Sequence, residues 1–223
     1  VAPTAEGYSG YGGRRLLSPL SKKRLERVLG YLLHENEFLS PYGIRSLSRY
    51  HQEHPFVFDA GGQAFSVSYV PAESNTGMFG GNSNWRGPVW FPINYLVVSA
   101  LERYYRFYGD DLEIEYPTGS GQTMSLGRIA ADLSERLVAT FLRGPDGRRP
   151  CFGDTARFQE DPRWRDHLLF HEYFHGDDGA GLGASHQTGW TGLVADLIRR
   201  RHGAVPSTSD VLQRLTTETS REG

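Results

Sequence analysis

Apolar spacing constrains this chain most. Leu25, Val28, Leu29, Leu32 and Leu33 recur at i, i+3, i+4, i+7 and i+8, with Lys22, Lys23, Arg24 and Arg27 opposite them. That period belongs to an amphipathic helix. Ser18 and Pro19 are placed to act as its N-cap and first-turn proline. A second helix is predicted from about Pro92 to Tyr108, with Leu96, Val97, Ala100, Leu101 and Tyr104 inward and Gly109 to stop it. A third spans Ser125 to Leu142, burying Ile129, Leu133, Leu137, Val138 and Phe141. A fourth follows from His186 to His202 on Trp190, Leu193, Val194, Leu197 and Ile198. Between them lie long aperiodic stretches. Asp166 to Phe170 is expected as a helical turn, and Ala64 to Val70 alternates as a short strand with no partner visible. Nothing alternates strand with helix, which excludes a doubly wound parallel sheet. The expected class is all-α, with site-building loops at one end.

Charge narrows the function classes. The 24 basic and 26 acidic side chains leave a net charge of −2, so no field gathers nucleic acid or an anionic membrane. The longest apolar run, near Pro92 to Leu101, is interrupted by Asn94 and Tyr95 and is too short to span a bilayer. A single cysteine, Cys151, rules out an internal disulfide and a thiolate metal cluster. Aromatic residues make up 13% of the chain, and such rings beside polar donors suit flat, partly apolar ligands such as sugars.

Two stretches carry the chemistry. Leu169 to Trp190 packs Glu172, Tyr173, Asp177, Asp178, Trp190, three histidines and glycines at 176, 179, 181 and 183 into one segment. Gly80 to Asn94 reads GGNSNWRGPVWFPIN, a rigid turn expected to present the indole of Trp85 and the guanidinium of Arg86; a buried tryptophan beside a surface arginine fits it equally. His171-Glu172-Tyr173-Phe174-His175 matches the H-E-x-x-H pattern of zinc peptidases. That chemistry needs a helix placing both imidazoles on one face, and Gly176 follows the second histidine at once. The other reading makes Glu172 a catalytic carboxylate. Inverting glycoside hydrolysis needs two such groups roughly 6.5–9.5 Å apart, one to protonate the leaving oxygen and one to activate water. As a structural residue, Glu172 would serve as an ion-pair partner or a helix cap.

The segments NWRGPVWFPINYL (Asn84 to Leu96) and HEYFHGDDGAGLGASHQTGW (His171 to Trp190) resemble the signatures of glycoside hydrolase family 63, and LSPYGIRSLSRYH (Leu39 to His51) is similar to its bacterial members. The family holds processing α-glucosidase I with bacterial α-glucosidase and mannosylglycerate-hydrolase relatives. The resemblance runs from about Leu17 to Gly203. It implies an (α/α)6 toroid and hydrolysis of α-glucosidic bonds with inversion. It makes Glu172 the general base and lines the sugar pocket with Trp85, Arg86, Trp90 and Asn94. Tyr173, His186, Gln187 and Trp190 are expected to complete it. The implied partner is an oligosaccharide or small glycoside, and no metal or organic cofactor is called for.

The family's general acid, an aspartate in a W-D-x-G-F-H-like segment, has no match here, and Asp59, Asp177 and Asp178 are poor substitutes. A toroid of twelve helices also needs roughly 400 residues at ~12 per helix plus loops. Residues 1–203 are therefore expected to form the C-terminal portion of a catalytic domain, incomplete in this chain and inactive alone. Residues 204–223 are expected as a frayed tail. The faces of Leu25, Leu29, Leu32 and Leu96 are expected to lack ring neighbours, driving self-association or association with the missing N-terminal half. A non-catalytic carbohydrate-binding or assembly module is the alternative, a zinc metallopeptidase the remote one, and a bacterial-type cytoplasmic location the expectation.

Overall fold

The structure is a computed structural model that describes residues 10–77 and 84–201. Its elements run α1 (Lys22–Leu32), β1 (Leu39–Ser40), β2 (Gly43–Ile44), β3 (Phe56–Ala60), β4 (Gln63–Val67), α2 (Phe91–Tyr108), β5 (Glu113–Glu115), β6 (Thr123–Ser125), α3 (Leu126–Ala139), α4 (Ala156–Glu160), β7 (Tyr173–Phe174), β8 (Gly181–Leu182) and α5 (Val194–Arg201). The expected tail at 204–223 lies outside the described residues.

The helices hold the core. α3 buries Ile129, Leu133, Leu137 and Val138, the expected Phe141 is buried just beyond its end, and α2 packs chiefly against α3. Gly127 permits that approach, since a Cβ there would sit 2.8 Å from the Tyr105 ring. α1 buries Leu25 and Leu29, and Leu33 just beyond it is closed off too. Leu25 and Leu29 thus have the neighbours they were expected to lack. α1 also starts later than expected: Ser18 is no cap, because its Oγ is taken by the Tyr104 hydroxyl at 2.8 Å and by the Leu20 N–H.

On α2 the expected face is misplaced. The buried stripe is Phe91, Asn94, Val98, Leu101, Phe107 and Tyr108, while Leu96 is 63% exposed and Ala100 lies open. Apolar residues occur all round this helix, so period alone cannot choose a face. Packing against α3 chooses it. Phe91, Phe141 and Phe174 then meet edge-on at 5.4–6.1 Å, carrying the core up to β7.

The all-α expectation needs correction. Among the described residues the helices are joined by four two-stranded antiparallel ribbons. The partner of the expected strand is Phe56–Ala60, closed by Gly61-Gly62 with φ of +65° and +82°. Two adjacent residues with positive φ make the hairpin turn that suits strand twist. Asp59 accepts the Gly62 N–H in that turn. Asp166 to Phe170 is not helical; the turn there closes earlier, on Asp161, and the preceding loop contains α4. The last helix begins with a 3-10 turn at Thr191, so His186 to Trp190 remain loop. None of the helices described is long and apolar enough to cross a membrane.

Cys151 is 1% exposed, and burial pushes its thiol up to about 12. A raised pKa contributes stability that is whole below the unfolded thiol value of about 8.5 and is lost as pH rises toward 12. Burial raises the Tyr69, Tyr116 and Tyr173 phenols in the same direction. Melting temperature should therefore fall steadily above about pH 9, and a thiol reagent at about pH 8 should label Cys151 only on unfolding. Rapid labelling of the native chain would contradict this.

Candidate functional site

Three separated segments meet through backbone bridges. Arg45, just after β2, pairs with Val89, and Val89 pairs with Phe174 of β7. The Val89 N–H donates to the Phe174 carbonyl at 2.8 Å and the Phe174 N–H returns at 3.0 Å. A fourth segment joins from the side: the Val70 N–H donates to the Arg86 carbonyl and the Gly176 N–H to the Pro71 carbonyl. Gly176 must be glycine for space, because a Cβ would lie 2.5 Å from the Gly87 carbonyl oxygen.

An aromatic stack rises from this platform. Trp85 lies parallel to Trp90 at 3.8 Å and 3°, and Trp90 lies over Tyr173 at 4.8 Å. Trp190 meets Trp90 edge-on at 6.3 Å. Trp90 and Tyr173 are buried, whereas Trp85 is 48% exposed and forms the open end. The Trp90 indole N–H donates to the Asn84 carbonyl, and that of Trp190 to the Glu172 carbonyl at 3.1 Å.

Glu172 stands at the start of the β7–β8 ribbon. Its N–H donates to the Ala184 carbonyl at 2.8 Å, and the Ala184 N–H lies 3.4 Å from Oε2. Gly183 turns the chain beside it at φ +69°, with no room for a Cβ against Oε2. Glu172 is half-buried beside the stack. Burial, then the charges of Glu73 and Glu172, push the Tyr173 phenol up to about 12, which keeps it a protonated donor at neutral pH.

The remaining sequence candidates divide. Asn94 is 2% exposed and spends its amide on the Ile44 N–H, the Ile44 carbonyl and the Trp90 carbonyl, so it braces α2 against β2 and does not face a pocket. Arg86 is buried rather than presented, its guanidinium reaching Asn84 Oδ1 and Ser74 Oγ. Trp90 supports the stack from within. His186 is exposed near His171, and Gln187 is half-buried with its backbone holding Phe170, Trp190 and Thr191. Asp177 is bound to Arg45, and Asp178 caps the Ala180 N–H at the ribbon's turn.

In the H-E-x-x-H segment Tyr173 and Phe174 form a short strand and no residue is helical, so the helix face that would bring both imidazoles to one ion does not form. The His175 Nδ1 accepts the N–H groups of Asp177 and Asp178, which commits that nitrogen to the turn after β7. His171 lies against the Gly181 backbone, and burial followed by His186 lowers its pKa. Among the described residues no group of three His, Cys, Asp or Glu side chains comes together around a metal-sized space.

Sequence reasoning missed Arg45, Tyr69 and Asn84. Asn84 fixes the platform by donating to the Val70 and Ala72 carbonyls while its Oδ1 accepts the Arg86 N–H. Its place directly before Trp85-Arg86 was the one available signal.

The profile of the mannosylglycerate hydrolase MGH1-like glycoside hydrolase domain matches residues 16–191. The chain is 52% identical over 191 residues to an uncharacterized protein of Saccharomyces cerevisiae, covering 85% of this chain and 18% of that one. It is 28% identical over 188 residues to a Schizosaccharomyces pombe protein named "Probable mannosyl-oligosaccharide glucosidase", covering 83% and 16%. It is 25% identical over 185 residues to the mannosyl-oligosaccharide glucosidase of S. cerevisiae, covering 82% and 16%. The chain thus spans less than a fifth of the length of these relatives.

Proposed function

We propose, from the premise that the chain belongs to the family of mannosylglycerate hydrolase MGH1-like glycoside hydrolase domains, that it supplies the base-bearing side of a site hydrolysing α-glucosidic bonds with inversion. The observation that carries this reading is Glu172 held beside the Trp85–Trp90–Tyr173 stack, whose outer indole is open. A pyranose lying on Trp85 would turn its apolar C–H face to the ring and its hydroxyls to the polar rim.

In the reaction a water oxygen bonds to the anomeric carbon as the carbon–oxygen bond to the aglycone breaks. Glu172 takes the water's proton, and a general acid outside this chain gives its own to the departing oxygen. Attack from the face opposite the leaving group inverts the configuration. The homologues named as glucosidases support glucose as the released sugar. The helices would then belong to a larger (α/α)6 toroid, with the exposed α2 face of Ile93 and Leu96 covered by further helices.

The test uses the longest natural form of the protein with an α-glucosyl oligosaccharide, following the first product by proton NMR. β-Glucose appearing before mutarotation is expected. α-Glucose first would overturn inversion, and no glucose release would overturn the glucosidase reading. In the same assay Trp85→Ala should weaken substrate binding by ~0.5–1.5 kcal/mol, roughly threefold to tenfold in KM, with less effect on kcat. A change confined to kcat would remove Trp85 from the binding surface.

A further inference from the structure

The backbone around Glu172 is gripped from a single loop. The Gln187 N–H donates to the Phe170 carbonyl at 2.7 Å, the Thr191 hydroxyl to the His171 carbonyl, and the Trp190 indole N–H to the Glu172 carbonyl at 3.1 Å. Residues 187–191 thus take three successive carbonyls. The loop is itself closed, because the Gln187 carbonyl accepts the N–H groups of Trp190 and Thr191 at 3.0 and 2.8 Å.

The peptide unit joining His171 to Glu172 is held at both ends. Thr191 takes its carbonyl, and its N–H goes to the Ala184 carbonyl at 2.8 Å. A peptide unit is planar, so fixing both polar groups fixes the plane. The next unit is tied by Trp190 at its own carbonyl. With both planes set, the direction in which the Glu172 side chain leaves its Cα is set as well. Gly181 supports this arrangement by leaving room for the His171 ring, which a Cβ there would meet at 2.1 Å.

Thr191 differs from Trp190 in where it stands. It is 0% exposed, whereas Trp190 is half-buried and meets the aromatic stack. Thr191 opens the 3-10 turn that runs directly into α5, whose Val194 and Leu197 are buried in the helical core. One hydroxyl therefore ties the peptide before Glu172 to an element fixed in that core.

We propose that Thr191 is a positioning residue, whose hydroxyl aims the Glu172 carboxylate at the water it activates by holding the His171–Glu172 peptide. This rests on the glycosidase reading above. A general base works only within hydrogen-bond reach of its proton, and a displacement of about 1 Å can cost about a hundredfold in rate. With no exposed surface, Thr191 acts on the reaction through Glu172 and not through the substrate.

Steady-state kinetics on an α-glucosyl oligosaccharide, with the longest natural form of the protein, test this. Thr191→Val keeps the side chain's shape and removes the hydroxyl. It should lower kcat roughly 10–100-fold with KM within about threefold of the parent. Thr191→Ser retains the hydroxyl and should recover most of the loss. In a Glu172→Gln background, Thr191→Val should lower the residual kcat by less than about twofold, because the group it aims is already gone. Leu25→Ala, a core change in α1, controls for stability: it should lower the melting temperature and leave kcat unchanged below that temperature. Thr191→Ala carries the same expectations should Thr191→Val not fold. An unchanged kcat in an active parent would overturn this inference and leave the glycosidase reading intact. A kcat loss repeated in full on top of Glu172→Gln, or matched by Leu25→Ala, would make Thr191 a structural residue and overturn it too. A parent that hydrolyses no α-glucoside would overturn both.

Discussion

Glu172→Gln should lower kcat by roughly 10²–10⁴-fold in the hydrolytically active protein while leaving KM within a few-fold of wild type. The amide has nearly the carboxylate's shape and keeps an oxygen for the Ala184 N–H, and the backbone remains fixed by Ala184 and by the Trp190 indole. What it loses is the ability to accept a proton from water. Because water is activated only as the transition state forms, the loss belongs to kcat and not to substrate binding. Steady-state kinetics on an α-glucoside, with thermal melting to show that the variant is folded, make the measurement. Near-normal turnover would remove Glu172 from the mechanism and leave the β7–β8 ribbon as a structural feature.

Asp177→Ala should cost about 3 kcal/mol of folding stability. The Arg45 side chain is 3% exposed and donates to Asp177 Oδ1 at 2.8 and 3.2 Å, to the Tyr69 hydroxyl at 3.0 Å, and to the carbonyls of Glu35 and Leu39. Removing the carboxylate strands a buried guanidinium, an event that typically costs about 3–5 kcal/mol. The lower end applies because the Asp177 side chain is 35% exposed, so water can replace part of the lost interaction. Asp177→Asn should cost less, since an acceptor oxygen remains. Urea unfolding measures both, and an unshifted midpoint for Asp177→Ala would show that the pair is not needed to hold the ribbon. The same pairing commits Asp177 Oδ1 to the Arg45 guanidinium and the Tyr69 hydroxyl, so it braces the ribbon.

The residues of α3 were legible because a helix with one apolar face has one way to turn it inward. Ile129, Leu133 and Leu137 follow that face and are buried. The same logic failed on α2, where apolar side chains surround the axis and the α3 contact decides which ones disappear. The stretches that hold Glu172, Trp85 and Trp190 stood out by chemistry: acids, indoles and glycines crowd into segments that build no helix core. Which side chains face outward was less legible. Arg86 and Asn94 carry groups that bind sugars in principle, yet whether an amide faces a pocket or a backbone depends on what folds against it, and here Ile44 lies fifty residues away.

What the sequence by itself determined was local: helix periods, the proline and glycine punctuation, and the composition of the two chemical stretches. What only the tertiary structure decided was pairing. The bridges from Arg45 to Val89 to Phe174, the clamp of Asn84 on residues 70–72, and the ion pair of Arg45 with Asp177 all join positions far apart in the chain. Short strands of two residues have no period to detect. Their hydrogen bonds become favourable only once the helical core has already brought the segments together and the loop-closure entropy has been met.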